Sequence, residues 1–488
     1  MNKKNILYTA YSALFIGICL APAVLMPVTD KNASKENRAQ AEAPKIRNEE
    51  GSLNFEFFSQ FETYFSEHFG LRTQLVTLDG KLRASLFGSS SNEDVIVGKE
   101  DWLYYAPTTD DFANTNTLSD RAINNINHNL TLLSDYCRDK GAWFTFTVAP
   151  NKNTIYPEYM PYNYIETDGS DNLEKLTAVY EKDRDEYFRY AVSSLAEESL
   201  KAQELLTYDY CDLKKFLLEQ KEKVSVPLYH KTDTHWNNVG ALAGRNALLS
   251  GKWSSGWSAS TDWSGDLAEM LYPSDVPLDT QYYTDYDFTY EYVGRFRGLD
   301  DINIKTTCKN ADGKLLMYRD SFGEAILPFM AESFAEAEFT RSVPYNTASV
   351  TEGTSVILEI VERNLGDLQK YAPVMPAPVY EGELPEGDIC YEASMEIEQS
   401  GEYYHFYGVL GDDFFLDDNT RIFIKIDDTA YEAFNCFEDK LLECEGETSD
   451  NGFSLYIPMA NGEIPDKSRV AIITLSSDGR TVKDAYSN

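Results

Sequence analysis

Histidine is scarce in this chain, with five residues in 488. Basic residues are outnumbered too: 43 lysines and arginines stand against 80 acidic residues, a formal net charge of −37. Such a surface repels nucleic-acid backbones and anionic lipid headgroups, so no phosphate-backbone partner is expected. The acidity reads as a solvated surface rather than a binding signal. The cysteines are scattered, and no Cys-x-x-Cys or other metal-ligand spacing occurs. The sequence holds no cofactor motif, no internal repeat and no long low-complexity segment, so neither a cofactor nor a metal is expected.

What is present begins at the N-terminus. "MNKKNILYTAYSALFIGICLAPAVLMPVTD" places Lys3 and Lys4 before an uncharged run from Asn5 to Thr29. About 20 apolar residues span a bilayer, and the positive flank keeps the N-terminus cytoplasmic. A cleaved signal peptide is the rival reading, because Ala21-Pro22-Ala23 resembles a small-residue cleavage site. The apolar run continues to Val28, which favours a single-pass anchor with the rest of the chain outside. Both readings export the protein. Six cysteines then lie in the exported region, where disulfides and buried free thiols are both open, and Cys436 and Cys444 could close a short loop.

Five stretches are expected: an anchor or signal peptide (1–29), a tether and helical segment (30–93), an α/β domain (94–372), a proline-rich linker (373–387) and a β-sandwich (388–488). In the second, Phe58, Phe61, Phe65 and Phe69 recur at helical spacing and predict a packing helix pair that turns at Gly70. "DVIVGKEDWLYY" reads as strand, glycine turn, strand. "WFTFTVAP" and "TSVILEIVERNL" read as strands buried on both faces of a parallel sheet. Helical stretches near 118–140, 171–222 and 238–249 alternate with them, which argues for an α/β fold with a mainly parallel sheet. Beyond the linker, short runs between turns predict a small antiparallel β-sandwich. Its Tyr403, Tyr404, Phe406 and Tyr407 offer sugar-stacking faces or, equally, strand core.

The chemistry concentrates in two places. In "YHKTDTHWNNVGA" Asp233 lies two residues before His235, and on an extended segment both side chains point the same way. A carboxylate so placed can orient an imidazole. In "GKLLMYRDSFGEAILPFM" Ser321 follows a strand and opens a helix, where active sites of open α/β sheets form. Its hydroxyl is a nucleophile once His235 takes the proton and Asp233 holds the tautomer. Separately, Ser321 reads as a helix N-cap, Asp320 as an alternative cap, and His235 as a structural histidine.

Together, "DTHWNNVGA" and "RDSFGEAILPF" resemble the alginate O-acetyltransferase-like SGNH hydrolase-like family, including the DHHW proteins. "FETYFSEHFGLR", "VIVGKEDWLYY" and "APNKNTIYPEYMP" resemble further blocks of that group in the same order, over residues 52–345. The resemblance implies an SGNH-hydrolase-like three-layer α/β sandwich that moves acetyl groups on cell-surface or secreted polysaccharide. It implies Ser321 as nucleophile, His235 as base and Asp233 as its partner, with a membrane protein supplying the acyl group. Arg341 falls where such proteins carry an arginine, to steady the oxyanion or bind glycan; a surface arginine is the plainer reading. Two departures stand out. The usual Gly-Asp-Ser is Arg319-Asp320-Ser321, and Thr234 occupies the position before His235, so the motif reads DTHW. A carbohydrate esterase with the same triad and a non-catalytic polysaccharide-binding protein are the rival functions.

Overall fold

The computed structural model describes residues 3–26, 41–48, 51–165, 167, 169–193, 208–437, 450–459 and 467–484. Helix α1 (Lys3–Leu25) takes up the apolar run and passes through Ala21-Pro22-Ala23. By length and composition, Tyr8–Leu25 is apolar enough to cross a membrane, and none of it is buried. The phenylalanine stripe forms α2 (Phe57–His68), which turns at Gly70 into α3 (Arg72–Phe87). The helices fall where the periodicity predicts, but they do not pack as expected: α2 has no buried residue.

The strand–turn–strand becomes an antiparallel pair, β1 (Val95–Val97) and β2 (Leu103–Tyr105). Then follow α4 (Asp120–Asp139), β3 (Trp143–Ala149), α5 (Asn172–Ser193), β4 (Asp209–Cys211), α6 (Leu213–Lys221) and α7 (Asn238–Leu248). The Asn237 side chain caps α7, accepting from Val239 N and Gly240 N. A hairpin of β5 (Trp257–Ser264) and β6 (Leu278–Thr284) encloses the short helix α8 (Asp266–Leu271). The chain continues through β7 (Glu291–Val293), β8 (Asn303–Thr307), β9 (Lys314–Tyr318), α9 (Gly323–Ala331), β10 (Glu336–Thr340) and β11 (Thr354–Val361).

Seven strands make one sheet in the order β4-β3-β11-β9-β10-β8-β7. The first five run parallel, and β8 and β7 add an antiparallel edge. Period-two alternation sorts the strand residues into two cores. Leu315 and Met317 of β9 join Phe322, Ile326, Leu242 and Leu217 on one face, under α6, α7 and α9. Leu316 and Tyr318 face the other way, with Ile126, Leu133 and Leu176 of α4 and α5. This is a three-layer α/β sandwich of the SGNH-like kind, with the carboxyl ends of the parallel strands at one rim.

The proline-rich stretch is not a free tether. Ala372, Met375 and Ala377 are buried, and Ala377 N donates to Tyr456 O at 2.8 Å. It leads into β12 (Val379–Tyr380), β13 (Asp388–Cys390), β14 (Ala393–Ser400), β15 (Tyr403–Leu410), β16 (Arg421–Ile426), β17 (Thr429–Glu432), β18 (Gly452–Pro458), β19 (Val470–Leu475) and β20 (Thr481–Asp484). A six-stranded sheet, β12-β17-β16-β19-β20-β13, shares one core with a three-stranded sheet, β14-β15-β18. The pairing is antiparallel except for β13 beside β20. Tyr404, Phe406 and Tyr407 are buried, and Tyr403 packs on Tyr456. Three of the four aromatics build core, and Tyr403 is half-buried. Cys137, Cys211, Cys308 and Cys390 form no disulfide, and Cys444 lies outside the described residues.

Candidate active site

The segment carrying Asp233 and His235 is a series of bends, not a strand. The two side chains meet because Asp233 folds back on its own backbone, as aspartate does in turns. Asp233 Oδ1 accepts from His235 N at 2.9 Å and from His235 Nδ1 at 2.7 Å. Its Oδ2 accepts from Trp263 Nε1 at 3.0 Å and from Asp266 N at 3.2 Å. Every lone-pair direction of this buried carboxylate is therefore occupied. Lys152, also buried, secures the bends from beneath: Nζ donates to the carbonyls of His230, Lys231 and Asp233 at 3.2, 3.0 and 2.6 Å. His230 stacks flat on Trp263, with ring centroids 4.8 Å apart.

The nucleophile candidate arrives from the sheet. Ser321 sits in the turn between β9 and α9, at the carboxyl rim. Asp320 braces this turn: Oδ1 accepts from Phe322 N at 2.8 Å and Oδ2 from Val361 N at 2.7 Å. Neither Asp320 nor Ser321 caps α9, which starts at Gly323 without a side-chain cap, and the Ser321 hydroxyl faces His235. With Nδ1 donating to Asp233, Nε2 of His235 is the accepting nitrogen, and it lies 2.9 Å from Ser321 Oγ. Asp233, His235 and Ser321 form one continuous hydrogen-bonded chain.

Arg319 replaces the glycine of the usual Gly-Asp-Ser and is buried. Its guanidinium donates to the carbonyls of Asp301 and Asp320 at 3.2 and 3.1 Å and also to that of Leu299. The side chain crosses the start of α9, where only a glycine fits: a Cβ on Gly323 would lie 2.6 Å from Arg319. Behind the turn, Glu359 is buried and its Oε2 accepts from Asp320 N at 3.2 Å. Burial, reinforced by the neighbouring Asp320 charge, pushes the Glu359 carboxyl well above the usual range.

Opposing effects tune His235. Burial disfavours its charged form, but the hydrogen bond and charge of Asp233, with the charge of Asp266, outweigh burial and raise its pKa above 6.5; the Arg363 charge acts downward. Burial raises Asp233, yet its bonds to His235 and the charges of His235 and His230 bring it below the usual carboxylate range. Burial brings Lys152 down to about 8, against the upward pull of Asp233, Asp266 and Asp279. Asp233, His235 and Asp266 place ligand atoms within 4.8 Å of one another. Those of Asp233 and His235 are engaged in the hydrogen bonds just given, so a cation there would break the chain to Ser321.

Arg341 pairs with Glu324 in the first turn of α9, Nη1 to Oε1 at 3.3 Å, so its guanidinium is already engaged. The sequence reading missed Arg363. Its guanidinium carbon lies 5.6 Å from the Phe322 ring centroid and 5.5 Å from that of Tyr105. It has no hydrogen-bonding partner among the described residues. The signal was available in "EIVERN", which puts Arg363 two residues past the carboxyl end of β11. Asp266 carried no such signal. It reaches the site through α8, accepting from Thr234 N at 2.8 Å and lying 3.7 Å from His235 Nδ1.

Residues 95–250 match the family model described as the SGNH hydrolase-like domain of acetyltransferase AlgX. The resemblance read from the sequence is borne out over that stretch, which contains Asp233 and His235 and ends before Ser321. Several solved structures are similar. Bacillus cereus PatB1 is 16% identical, with 56% of this chain and 96% of that chain covered and a TM-score of 0.38. The O-acetyltransferase domain of Pseudomonas putida AlgJ is 16% identical over 56% and 92%, with a TM-score of 0.31. A DHHW family protein from Eubacterium siraeum is 16% identical over 49% and 85%, with a TM-score of 0.33. No curated protein sequence matches the chain.

Proposed function

We propose that this protein is an extracytoplasmic O-acetyltransferase that modifies a cell-surface or secreted polysaccharide through an acyl-enzyme on Ser321. One observation carries the reading: the unbroken run from Asp233 Oδ1 through His235 to Ser321 Oγ, with links of 2.7 and 2.9 Å. In the first half-reaction Ser321 Oγ attacks the donor's acyl carbon while its proton passes to His235 Nε2. The imidazolium is held by Asp233. The tetrahedral intermediate collapses, and the leaving group takes the proton from His235. In the second half-reaction His235 deprotonates a sugar hydroxyl, which attacks the acyl-serine and frees Ser321. The positive end of α9, beginning at Gly323, favours the developing oxyanion.

Helix α1, read as an uncleaved anchor, holds the catalytic unit outside the membrane, where a membrane protein hands on the acyl group. The site itself is compatible with water as acceptor, and an acceptor assay separates transfer from hydrolysis. The test is intact-mass measurement of the full chain after exposure to 4-nitrophenyl acetate, with and without unacetylated oligosaccharide. An acetyl adduct on Ser321, absent from Ser321→Ala and discharged onto the oligosaccharide, is the expected result. Discharge to water alone makes the protein an esterase. No adduct in the folded wild type overturns the catalytic reading.

A further inference from the structure

The pair α2 and α3 turns its apolar residues away from the protein. Phe55, Phe58 and Phe61 expose 93%, 82% and 46% of their area. Helix α3 is fastened on one side only. Thr77 Oγ1 accepts from Ser274 N and Oγ at 2.9 Å each, and a Cβ on Gly80 would lie 2.7 Å from the Leu271 carbonyl oxygen. At 3.6 residues per turn, Leu75, Leu82 and Leu86 fall on the opposite side of the helix. They expose between 43% and 68% of their area. Bare apolar side chains gathered on one side of each helix mark a contact face.

Two features identify what covers it. The turn between α2 and α3 lies against the end of α1: Gly70 N donates to Pro22 O at 2.8 Å, and a Cβ on Gly70 would meet Leu25 at 2.8 Å. Helix α1 buries no residue along Tyr8–Leu25 and touches this turn only at its end, so whatever medium surrounds α1 also lies beside the turn. The charge differs as well. Residues 52–88 hold four acidic and three basic residues, nearly neutral in a chain of net charge −37. This stretch, with its bare phenylalanines and leucines, thereby escapes most of the repulsion from anionic headgroups. The phenylalanine stripe of α2, with polar residues opposite, suits the headgroup–acyl boundary.

We propose that α2 and α3 lie in the outer membrane interface and insert Phe55, Phe58, Phe61, Leu75, Leu82 and Leu86 beside the exit of α1. The proposal rests on the reading of α1 as a membrane anchor. Through Thr77 and Gly80 the pair fixes the α/β unit to the bilayer by a second attachment, independent of the covalent one. It presents the α/β unit at a set height above the lipid.

Photo-crosslinking of the full chain in phosphatidylcholine nanodiscs tests this. p-Benzoylphenylalanine replaces Phe15, Phe58, Leu82 or, as a distant exposed control, Trp143; intact mass is read after irradiation. Lipid adducts at 15, 58 and 82, with none at 143, are expected. Adducts at 15 with none at either 58 or 82 overturn the proposal and leave the anchor standing. A cross-linked dimer at 58 or 82 in place of lipid assigns the face to a second copy and overturns it too. No adduct at 15 overturns the anchor reading and the proposal together.

Discussion

The Trp236 indole Nε1 donates to the Phe322 carbonyl oxygen at 3.0 Å, across 86 residues of sequence. This bond joins the residue after His235 to the residue after Ser321. Both partners are fully buried, and the Phe322 ring centroid lies 4.9 Å from that of the imidazole. The separation of base and nucleophile is therefore set one residue downstream, by packing, and not by their own hydrogen bond alone.

Trp236→Phe keeps an aromatic ring and removes the donor. The Phe322 carbonyl then loses its partner, which costs about 1–3 kcal/mol of stability. Urea unfolding reads that loss. The acyl-enzyme rate should fall too, because the staple also positions Ser321.

The pH profile follows from the His235 environment. Its base form is required, so the rate of Ser321 acylation should rise with pH through a midpoint above 6.5, in the direction that Asp233 and Asp266 set against burial. Arg363→Gln removes a lowering influence and should move the midpoint up. Asp233→Asn removes the raising influences of its hydrogen bond and charge and should move it down. That change also frees the wrong tautomer and lowers the rate by roughly 10³- to 10⁴-fold. Acylation rates from pH 5 to 9 for the three proteins check all of this.

Lys152 bridges the "APNK" turn to three carbonyls of the bends. Lys152→Met preserves the apolar stem and takes the side-chain donor from the His230 and Asp233 carbonyls, while that of Lys231 keeps Leu103 N. A stability loss of about 2–4 kcal/mol is expected, with acylation reduced in the folded fraction. Urea unfolding together with single-turnover acylation reads both effects.

Glu362 is buried, and its Oε2 accepts from Asn151 N at 2.7 Å and Thr154 Oγ1 at 2.6 Å. Burial lifts its carboxyl to about 7, above the ordinary 4.5. The fold therefore prefers the protonated form, and stability declines as pH rises from about 4.5 through 7. Glu362→Gln is permanently neutral and can still accept both hydrogen bonds. It should melt higher than the wild type at pH 8 and about level with it at pH 5, as thermal unfolding would show.

Local rules read much of this protein from its sequence. Continuous apolar, aromatic and β-branched runs placed β3, β9 and β11, and the strand–turn–helix around Ser321 marked the rim of the sheet. These features depend on residues close in sequence, so spacing reveals them. The meeting of Asp233 with His235 was read correctly for the wrong reason: an extended segment was expected, whereas Lys152, Trp263 and the folded-back Asp233 side chain bring them together in a bend. The sequence also showed that α2 carries an apolar stripe and β15 an aromatic cluster, but it could not say which of them finds cover. Tertiary packing buried Tyr404 and Phe406 and left Phe58 and Leu82 bare. Arg363 needed the same information, because its charge acts on His235 only once β11 has been laid beside β9. Side-chain period belongs to the local backbone; burial and electric field belong to the residues that distant parts of the chain bring alongside.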